Sequence, residues 1–510
     1  MTLSVSAVNQ QNIDRPGRTS VLWVDPPPST TFRGECEDRQ WEFHCISVDD
    51  FIAHAPGARA VILHVNPDDT DFRQRAQRII DEAMMFGVTI VLLMRTRSTQ
   101  FEPPTEEEMT EFSRGLKMLR HDSTRVIRCM QNHWHELAVN LASTGNEPAA
   151  NDDLKFDGHT PDELESRVLL KRAFSDAEVL YIRPLTVGKS GAEVLRIAKT
   201  AKDASLRSTE LVAKIYESED LREESGYKLI ESAVPHRLFA PVAKPRSRRG
   251  LKRSVVVYSF LHRAAPLVEM MGSGLPDLIE SLFAHTLGTL HHVVAEQSDN
   301  LVARLMPRVI RESRELDEVS KAAAQTGALD WTSLRELIGA IRPIAYSLCT
   351  THGDLHIGNL FVPEQTCDVV IIDYATVTPS SPFVVDPACL EVSLVFPPTF
   401  MLPAGWSNFP DPDWLRRAFQ YPFTITNLGG PGAESSLVGA IEVIRRRMKK
   451  SGEDRAVYGM GVAAFLLRFA SFEDNGTRER RVIAYEIAAT ILEAVRRELD
   501  QRHAKTKRGA

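Results

Sequence analysis

Two neighbouring stretches decide how this chain is interpreted: THGDLHIGNLFV at residues 351–362 and VVIIDYA at residues 369–375. The first places Asp354 and Asn359 five residues apart in a loop followed by an apolar run. The second ends an apolar strand with Asp373, fourteen residues after Asn359. Amide and carboxylate oxygens are hard ligands of the kind that Mg2+ prefers. The spacing therefore predicts that a loop brings Asn359 and Asp373 to one metal ion.

The separation of Asp354 from Asn359 is also the spacing of the kinase catalytic loop. In that loop the aspartate accepts or orients the proton of the acceptor hydroxyl, and the asparagine binds Mg2+. His352 is interpreted as a structural residue that braces the loop through hydrogen bonds. His356 occupies a position that can face either substrate or solvent, and the sequence leaves that choice open.

A lysine embedded among apolar residues lies upstream, in ELVAKIY at residues 210–216. Burial of an ammonium group is unfavourable unless an anion pairs with it, so Lys214 predicts a carboxylate and a phosphate nearby. The helix that follows places Glu224 on the same face as two leucines, and Glu223 is the alternative. The competing interpretation is an edge strand from which Lys214 extends into solvent, with both glutamates solvated.

Two glycines, Gly188 and Gly191, stand three residues apart between β-type runs. This arrangement suits a hairpin whose backbone amides approach phosphate oxygens closely. An ordinary β-turn has the same appearance. The glycines are therefore candidate nucleotide-binding residues only in combination with the downstream motifs.

Through HGDLHIGNLFV and VVIIDYA, residues 175–500 resemble the aminoglycoside phosphotransferases, the choline kinases and related protein-kinase-like families. The resemblance implies a two-lobed α+β fold with a helical C-lobe, and ATP and Mg2+ as cofactors. It implies that Asp354 is the catalytic base and that Asn359 and Asp373 hold Mg2+.

The same resemblance assigns roles to residues upstream of the catalytic loop. Lys214 would hold the α- and β-phosphates, and Glu224 would position Lys214. The strand and hinge at residues 254–260, with Tyr258 and Phe260, would lie against the adenine.

A further aspartate, Asp386, begins the segment DPACLE at residues 386–391. In the families named above, an aspartate that begins a helix after the metal-binding strand orients the catalytic loop, whereas capping of the helix N-terminus is the alternative. The DPAxLE form, together with an α/β domain ahead of the kinase-like part, is similar to the ternary-complex-associated kinase-like domains of bacterial conflict and signalling systems.

The N-terminal part of the chain, residues 18–142, follows a different pattern. Apolar strands at residues 20–24, 60–65 and 87–94 alternate with helical stretches such as residues 72–85. This alternation predicts βαβ units and a parallel sheet, and hence a doubly wound α/β domain.

This layout resembles a response-regulator receiver domain. A working receiver has an acidic pair after its first strand, a phosphorylated aspartate after its third and a lysine after its fifth. Here a single Asp25 occupies the first position, His64 occupies the phosphoacceptor position, and no Lys-Pro follows residues 125–129. The resemblance therefore implies a pseudo-receiver with a structural or partner-binding role.

Length and composition set the remaining expectations. At 510 residues the chain is too long for one ordinary core, and its net charge of −7 argues against a generally basic nucleic-acid binder. The six cysteines are scattered without CxxC spacing, so neither a zinc site nor a disulfide framework is indicated. No signal peptide and no apolar run of ~20 residues is evident, which predicts a cytoplasmic protein without a membrane partner.

These observations divide the chain into four predicted parts. They are a disordered tail at residues 1–17, the receiver-like domain at 18–142, a linker at 143–160 and the kinase-like domain at 161–505.

The favoured function is transfer of the γ-phosphoryl group of ATP to a hydroxyl of a small molecule or a protein. The alternative is a nucleotide-binding pseudokinase that acts as a sensor or scaffold and recruits a protein partner through its N-terminal domain. A phospho-relay regulator is disfavoured, because His64 stands where an aspartate is needed.

Overall fold

A computed structural model of the protein places its residues in two compact units. Unit 1 comprises Met1–Asp220 and Pro241–Phe260, and unit 2 comprises Leu221–Ala240 and Leu261–Ala510. Within them the structure describes residues 20–24, 34, 36–39, 41–47, 51, 55, 58–65, 70–94, 126–130, 148, 150–187, 192–201, 210–217, 222–250, 252–261, 263–270, 274–309, 313–364, 366–397, 411–423, 433–473 and 477–509.

The first sheet of unit 1 is parallel, with the strand order β2-β1-β3-β4-β5. Its strands and the helix between the third and fourth of them are β1 (Ser20–Val24), β2 (Glu42–Ile46), β3 (Ala58–Val65), α1 (Thr70–Phe86), β4 (Thr89–Met94) and β5 (Val126–Met130). Continuous apolar runs such as those of β3 and β4 are typical of strands buried on both faces. The strand order is that of a flavodoxin-like doubly wound sheet.

The predicted strands and helix of this domain are therefore observed near their predicted positions. His64 lies in β3, at its penultimate residue, whereas Asp25 and Arg125 fall outside the described residues. The assignment of the domain as a pseudo-receiver stays a prediction.

The second sheet of unit 1 has the order β10-β11-β9-β8-β7-β6 and is antiparallel apart from the pairing of β6 with β7. The elements are β6 (Lys155–Gly158), α2 (Leu164–Ala173), β7 (Ala177–Val187), β8 (Glu193–Ala201), β9 (Glu210–Glu217), β10 (Arg248–Arg249) and β11 (Arg253–Ser259). Here the structure differs from the predicted linker at residues 143–160, because β6 lies inside it. Its sequence KFDG is polar, as suits an edge strand, and shows no apolar alternation.

Helix α2 contributes to the cores of both sheets in unit 1. Val168 packs in the core of the first sheet, and Leu169 and Leu170 pack in the core of the second. Arg172 is fully buried, and its Nη1 donates to the carbonyl oxygen of Met85 in the last turn of α1, at 2.9 Å. A cation is favourable there, since carbonyl groups at a helix C-terminus carry partial negative charge.

Gly87, directly after α1, makes room for this arginine. Its φ of +62° lies in the left-handed region, and a Cβ at this position would stand 1.9 Å from Nη2 of Arg172. Glycine is thus required at residue 87 both by the backbone and by the approach of the guanidinium.

Unit 2 is mostly helical, with two small antiparallel sheets in the orders β12-β15-β16 and β13-β14-β17. Its elements are α3 (Arg222–Ala233), β12 (Ala264–Pro266), α4 (Leu275–Ser281), α5 (Leu287–Leu290), β13 (Ala295–Asp299), α6 (Leu301–Val309), α7 (Ser313–Ala324), α8 (Trp331–Gly339), β14 (Ile344–Thr351), β15 (Leu360–Pro363), β16 (Val370–Ile371), β17 (Thr378–Pro382), α9 (Val385–Val395), α10 (Pro412–Ala418), α11 (Ala433–Ser451), α12 (Arg455–Ala470) and α13 (Arg478–Gly509). No helix in the described ranges is long and apolar enough to cross a membrane.

Helices α9 and α12 form the centre of unit 2. Every residue of α9 is buried, and α12 is apolar almost all round, as expected for a helix enclosed by others. A polar group inside this core is paired: Glu391 of α9 accepts from Arg445 Nη2 at 2.6 Å and from the hydroxyl of Tyr458. The charge of Glu391 is therefore matched inside the helical core.

Candidate active site

The loop that begins at His352 is anchored to α9 by Asp386. This carboxylate is fully buried and accepts hydrogen bonds from the backbone N–H groups of His352 and Gly353, both at 2.8 Å. A third bond, also 2.8 Å, joins it to Nε2 of His291. The N-cap position of α9 is Val384, so the carboxylate of Asp386 serves the loop and does not cap its own helix.

The electrostatics of Asp386 match this position. Burial by itself raises the pKa of the carboxyl group, but the hydrogen bond and charge of His291 outweigh it, and the net shift is downward. A carboxylate that accepts several N–H bonds is held in its ionised form. Asp386 therefore stays charged and fixes the backbone at the start of the loop.

Gly353 allows the loop to lie directly against the segment after Asp373. Its φ is +81°, and a Cβ there would stand 2.5 Å from the carbonyl oxygen of Thr376. The hydroxyl of Thr376 donates to the carbonyl oxygen of His352 at 2.8 Å. The two sequence motifs are thus joined side by side by backbone contacts.

His352 makes a hydrogen bond to the strand segment before Asp373. It is fully buried, and its Nε2–H donates to the carbonyl oxygen of Ile372 at 2.9 Å. In a neutral imidazole the other nitrogen is then unprotonated. Among the described residues, Nδ1 has no hydrogen-bond partner.

A backbone hydrogen bond joins Asn359 to the residue before Asp373. The N–H of Ile372 donates to the carbonyl oxygen of Asn359 at 3.0 Å, next to Asp373 in sequence. The amide nitrogen of Asn359 donates to the carbonyl oxygen of Asp354 at 2.9 Å, which fixes the orientation of the side chain. Asp373 has a φ of +64°, an uncommon conformation for a residue with a side chain, of the kind that surrounding structure must hold in place.

This donor set fits Mg2+. Asn359 offers an amide oxygen and Asp373 a carboxylate, and both are hard ligands. In the part of the chain that the structure describes, no group of three or more His, Cys, Asp or Glu side chains could hold a metal ion. Mg2+ commonly takes one or two protein ligands and completes its shell with phosphate oxygens and water.

Asp354 makes an ion pair that the sequence did not predict. Its Oδ1 accepts from Nη1 of Arg468, in α12, at 2.7 Å. The Asp354 side chain is 21% exposed and that of Arg468 is 25% exposed, so the pair reaches the surface. Burial alone raises the pKa of Asp354, but the charge of Arg468 outweighs it and holds this pKa well below its usual range.

One signal in the sequence could have revealed Arg468. It is a lone charge near the end of the otherwise apolar stretch MGVAAFLLRFA at residues 460–470. A charged residue in a buried helix needs a partner. That partner lies 114 residues away along the chain, and the sequence alone does not name it.

His356 makes a hydrogen bond to the backbone of its own loop. Its Nδ1 accepts a hydrogen bond from the backbone N–H of Gly358 at 3.1 Å. Burial lowers the pKa of His356, against the opposing influence of the nearby Asp354 carboxylate. The side chain is half-buried beside the catalytic motif.

Of the two glutamates weighed for the helix after Lys214, the structure buries Glu223. Its carboxylate accepts from the backbone N–H of Tyr374 at 3.2 Å, whereas Glu224 is only partly buried. The buried face of α3 is formed by Glu223, Gly226, Tyr227 and Ile230, and the choice between Glu223 and Glu224 as the partner of Lys214 stays a prediction. At Gly226 a Cβ would stand 1.8 Å from the carbonyl oxygen of Tyr374.

The remaining predicted residues belong to unit 1. Lys214 is 8% exposed in β9, which lies between β8 and β11, so the edge-strand interpretation does not apply. Tyr258 is buried in β11, and Phe260 lies beneath the guanidinium of Arg196, 4.4 Å from its ring centroid. Gly188 and Gly191 fall between β7 and β8, outside the described residues.

Comparison with known proteins gives weak similarities. No family model matches the chain, and no curated protein matches it. Among solved structures, an aminoglycoside phosphotransferase from Streptomyces rimosus is 16% identical over 55% of this chain and 98% of its own, with a TM-score of 0.30. An ethanolamine kinase from Plasmodium vivax is 13% identical over 62% and 84%, with a TM-score of 0.31. A choline kinase from Cryptosporidium parvum is 8% identical over 65% and 91%, with a TM-score of 0.27.

These neighbours are all phosphotransferases. At such identities and TM-scores they carry no argument about activity. The functional conclusion therefore rests on the geometry of the residues described above.

Proposed function

We propose that the protein is an ATP-dependent phosphotransferase that moves the γ-phosphoryl group to a hydroxyl of a small molecule or a protein. One observation carries the proposal: hydrogen bonds join Asp354, Asn359 and the residue before Asp373 into a single braced loop. This is the arrangement that phosphoryl transfer needs, because its catalysis consists mainly of positioning and charge stabilisation.

The roles proposed for unit 2 follow from the contacts of each side chain. Asp354 reaches the surface and would orient the acceptor hydroxyl and take up its proton. Because the pKa of Asp354 is low, orientation of the hydroxyl is its main contribution. Asn359 and Asp373 would hold Mg2+, which when bound neutralises charge on the phosphates.

Other roles are proposed by resemblance. Lys214 would contact the α- and β-phosphates, and Glu224, with Glu223 as the alternative, would have the role of positioning it. Burial of Lys214 in an interior strand supports its part, since a buried ammonium group requires an anion. Gly188, Gly191, Tyr258 and Phe260 complete the proposed nucleotide-binding residues.

For the N-terminal α/β domain we propose a pseudo-receiver that binds a protein partner and is not phosphorylated. Its support is the parallel sheet in the doubly wound order, with His64 near the end of β3. We also propose that the protein is cytoplasmic and belongs with the kinase-like domains of bacterial conflict or signalling systems.

Calorimetric titration of MgATP into the wild-type protein and Asp373→Ala tests the main proposal, with ADP release followed in the same samples. We expect metal-dependent binding and slow hydrolysis in the wild type, and loss of both in the variant. Asp413→Ala, at a surface side chain that is 75% exposed, is the matched control and should behave as the wild type.

Each of the other outcomes has a defined meaning. Binding of MgATP without turnover would favour the pseudokinase. Absence of binding in the wild type would contradict both the phosphotransferase and the pseudokinase.

A further inference from the structure

Arg468 has N–H donors that its hydrogen bond to Asp354 does not use. A guanidinium group carries five N–H donors in a planar fork. Among the described residues, the bond from Nη1 to Asp354 is the only hydrogen bond of this side chain. Since a quarter of the side chain is exposed, the remaining donors include groups that solvent or a substrate can reach.

Arg468 differs in its exposure from Arg445, another arginine of unit 2 that pairs with a carboxylate. Arg445 pairs with Glu391, and the exposures of these side chains are 4% and 0%. Its guanidinium also donates to the carbonyl oxygen of Ala418. That pair is closed to solvent, whereas the pair of Arg468 with Asp354 opens at the place where an acceptor hydroxyl must be oriented.

A second arginine in the same region lacks a carboxylate partner in the described part of the chain. Arg480, in the first turn of α13, is 91% buried, and its Nη2 donates to the carbonyl oxygen of Val395 at 3.1 Å. Its Nε and Nη1 are buried without a hydrogen-bond partner. Burial lowers the pKa of Arg480, and no acidic group opposes this effect.

Arg480 is connected to the neighbourhood of Arg468 through aromatic contacts. Its guanidinium lies 5.9 Å from the ring of Phe396, and that ring is 5.0 Å from the ring of Phe469, next to Arg468 in sequence. At this end of α12 and α13, Arg468 pairs with Asp354 and Arg481 pairs with Glu315, whereas no acidic group affects Arg480. These three guanidinium groups therefore outnumber their partner carboxylates by one.

We infer that the acceptor carries an anionic group close to the hydroxyl that is phosphorylated, and that Arg468 binds this group while Asp354 orients the hydroxyl. Arg is well suited to the task, because its planar fork matches carboxylate and phosphate oxygens. A cationic acceptor would be repelled by the same guanidinium. The inference rests on the proposed function, since it assigns the substrate class of the same site.

The role inferred for Arg468 is that of a specificity-determining residue. Its loss should raise KM for an anionic acceptor and have much less effect on KM for a neutral one. A residue that only stabilised the fold would change both alike. Arg468→Lys keeps the charge but loses the fork, and should restore part of the affinity.

Binding of three small hydroxyl compounds of different charge, without nucleotide, tests the inference directly. The probes are D-glycerate, glycerol and choline, titrated by NMR into the wild type, Arg468→Gln and Arg468→Lys. We expect the wild type to bind D-glycerate about tenfold or more tightly than the other two, and Arg468→Gln to lose this preference. The control is Arg416→Gln, at an arginine whose side chain is 46% exposed on the surface.

Equal binding of D-glycerate and glycerol by the wild type would overturn the inference, and so would an unchanged preference in Arg468→Gln. The wild-type comparison decides the matter even where the glutamine variant fails to fold. Because nucleotide is absent, the result is independent of the MgATP titration. Turnover without anion preference contradicts the anionic acceptor but leaves the phosphotransferase standing. Anion preference without MgATP binding contradicts the phosphotransferase and the pseudokinase but leaves the anion-binding role of Arg468 standing.

Discussion

The proposed catalytic loop, residues 352–359, involves two carboxylates that are held in different ways. One lies at the buried start of the loop, here called its base, and the other lies where the loop is partly exposed, here called its mouth. Asp386, at the base, has no exposed surface and accepts hydrogen bonds from His352, Gly353 and His291. Asp354, at the mouth, is a fifth exposed and is joined to Arg468. Both have pKa values below the ordinary range, so both are ionised at neutral pH.

The comparison shows that two ionised carboxylates can have different roles because their surroundings differ. At Asp386 the surroundings supply several fixed donors and leave no room for a ligand, which makes the residue part of the framework. At Asp354 the surroundings supply one guanidinium group and access to solvent. A low pKa alone does not identify a catalytic residue; the access to solvent distinguishes these two.

The largest effect is expected from Asp354→Asn. The substitution keeps the size of the side chain but removes the charge that orients and accepts the hydroxyl proton, so turnover should fall by about 100- to 10,000-fold. MgATP affinity should stay within about twofold of the wild type, because the metal ligands are untouched. Steady-state kinetics and calorimetry on the same preparation measure both. Turnover near the wild-type value would show that Asp354 is not the catalytic group.

A different response is expected from Asp386→Ala. The change leaves two backbone N–H groups and His291 without their buried acceptor, so the free energy of unfolding should fall by about 3–5 kcal/mol. Urea denaturation measures the loss. Asp386→Asn keeps one acceptor oxygen and should lose less, whereas Asp354→Asn should change stability by under about 1 kcal/mol. Equal losses in the free energy of unfolding from Asp386→Ala and Asp354→Asn would contradict the different roles given to the two carboxylates.

The smallest effect is expected on the pH dependence of stability and of kcat. Because the pKa of Asp354 is lower in the folded protein than in the unfolded chain, its contribution to stability is fully present above the unfolded value of about 3.9 and is lost as the pH falls from there through the lower pKa of the folded state. Arg468→Gln removes the first of the charges that lower this pKa. The acid limb of the kcat profile should therefore move to higher pH in that variant. An unmoved limb would mean that Arg468 does not set the ionisation of Asp354.

The sequence was most informative where the chemistry depends on local spacing. Asp354, Asn359 and Asp373 were found because one loop and the strand after it hold them, and backbone hydrogen bonds join these segments. The parallel strands of the N-terminal sheet were found because burial on both faces leaves long apolar runs. In both cases the signal lies within a few consecutive residues.

Sequence reasoning failed where the answer depends on distant packing. The choice between Glu223 and Glu224 turns on which face of α3 lies against Tyr374, 151 residues further along the chain. Arg468 was missed because its partner is also remote in sequence, 114 residues away. Strand β6 was taken for linker because a polar edge strand, paired on one side only, shows no apolar periodicity.

The contact of Arg172 with the end of α1 has a consequence for which residues can stand at position 87. A side chain there would occupy the space of the guanidinium, and the positive φ of the residue disfavours a side chain even where Arg172 is replaced. Relatives that keep this turn should therefore keep glycine at position 87, whether or not they keep the arginine.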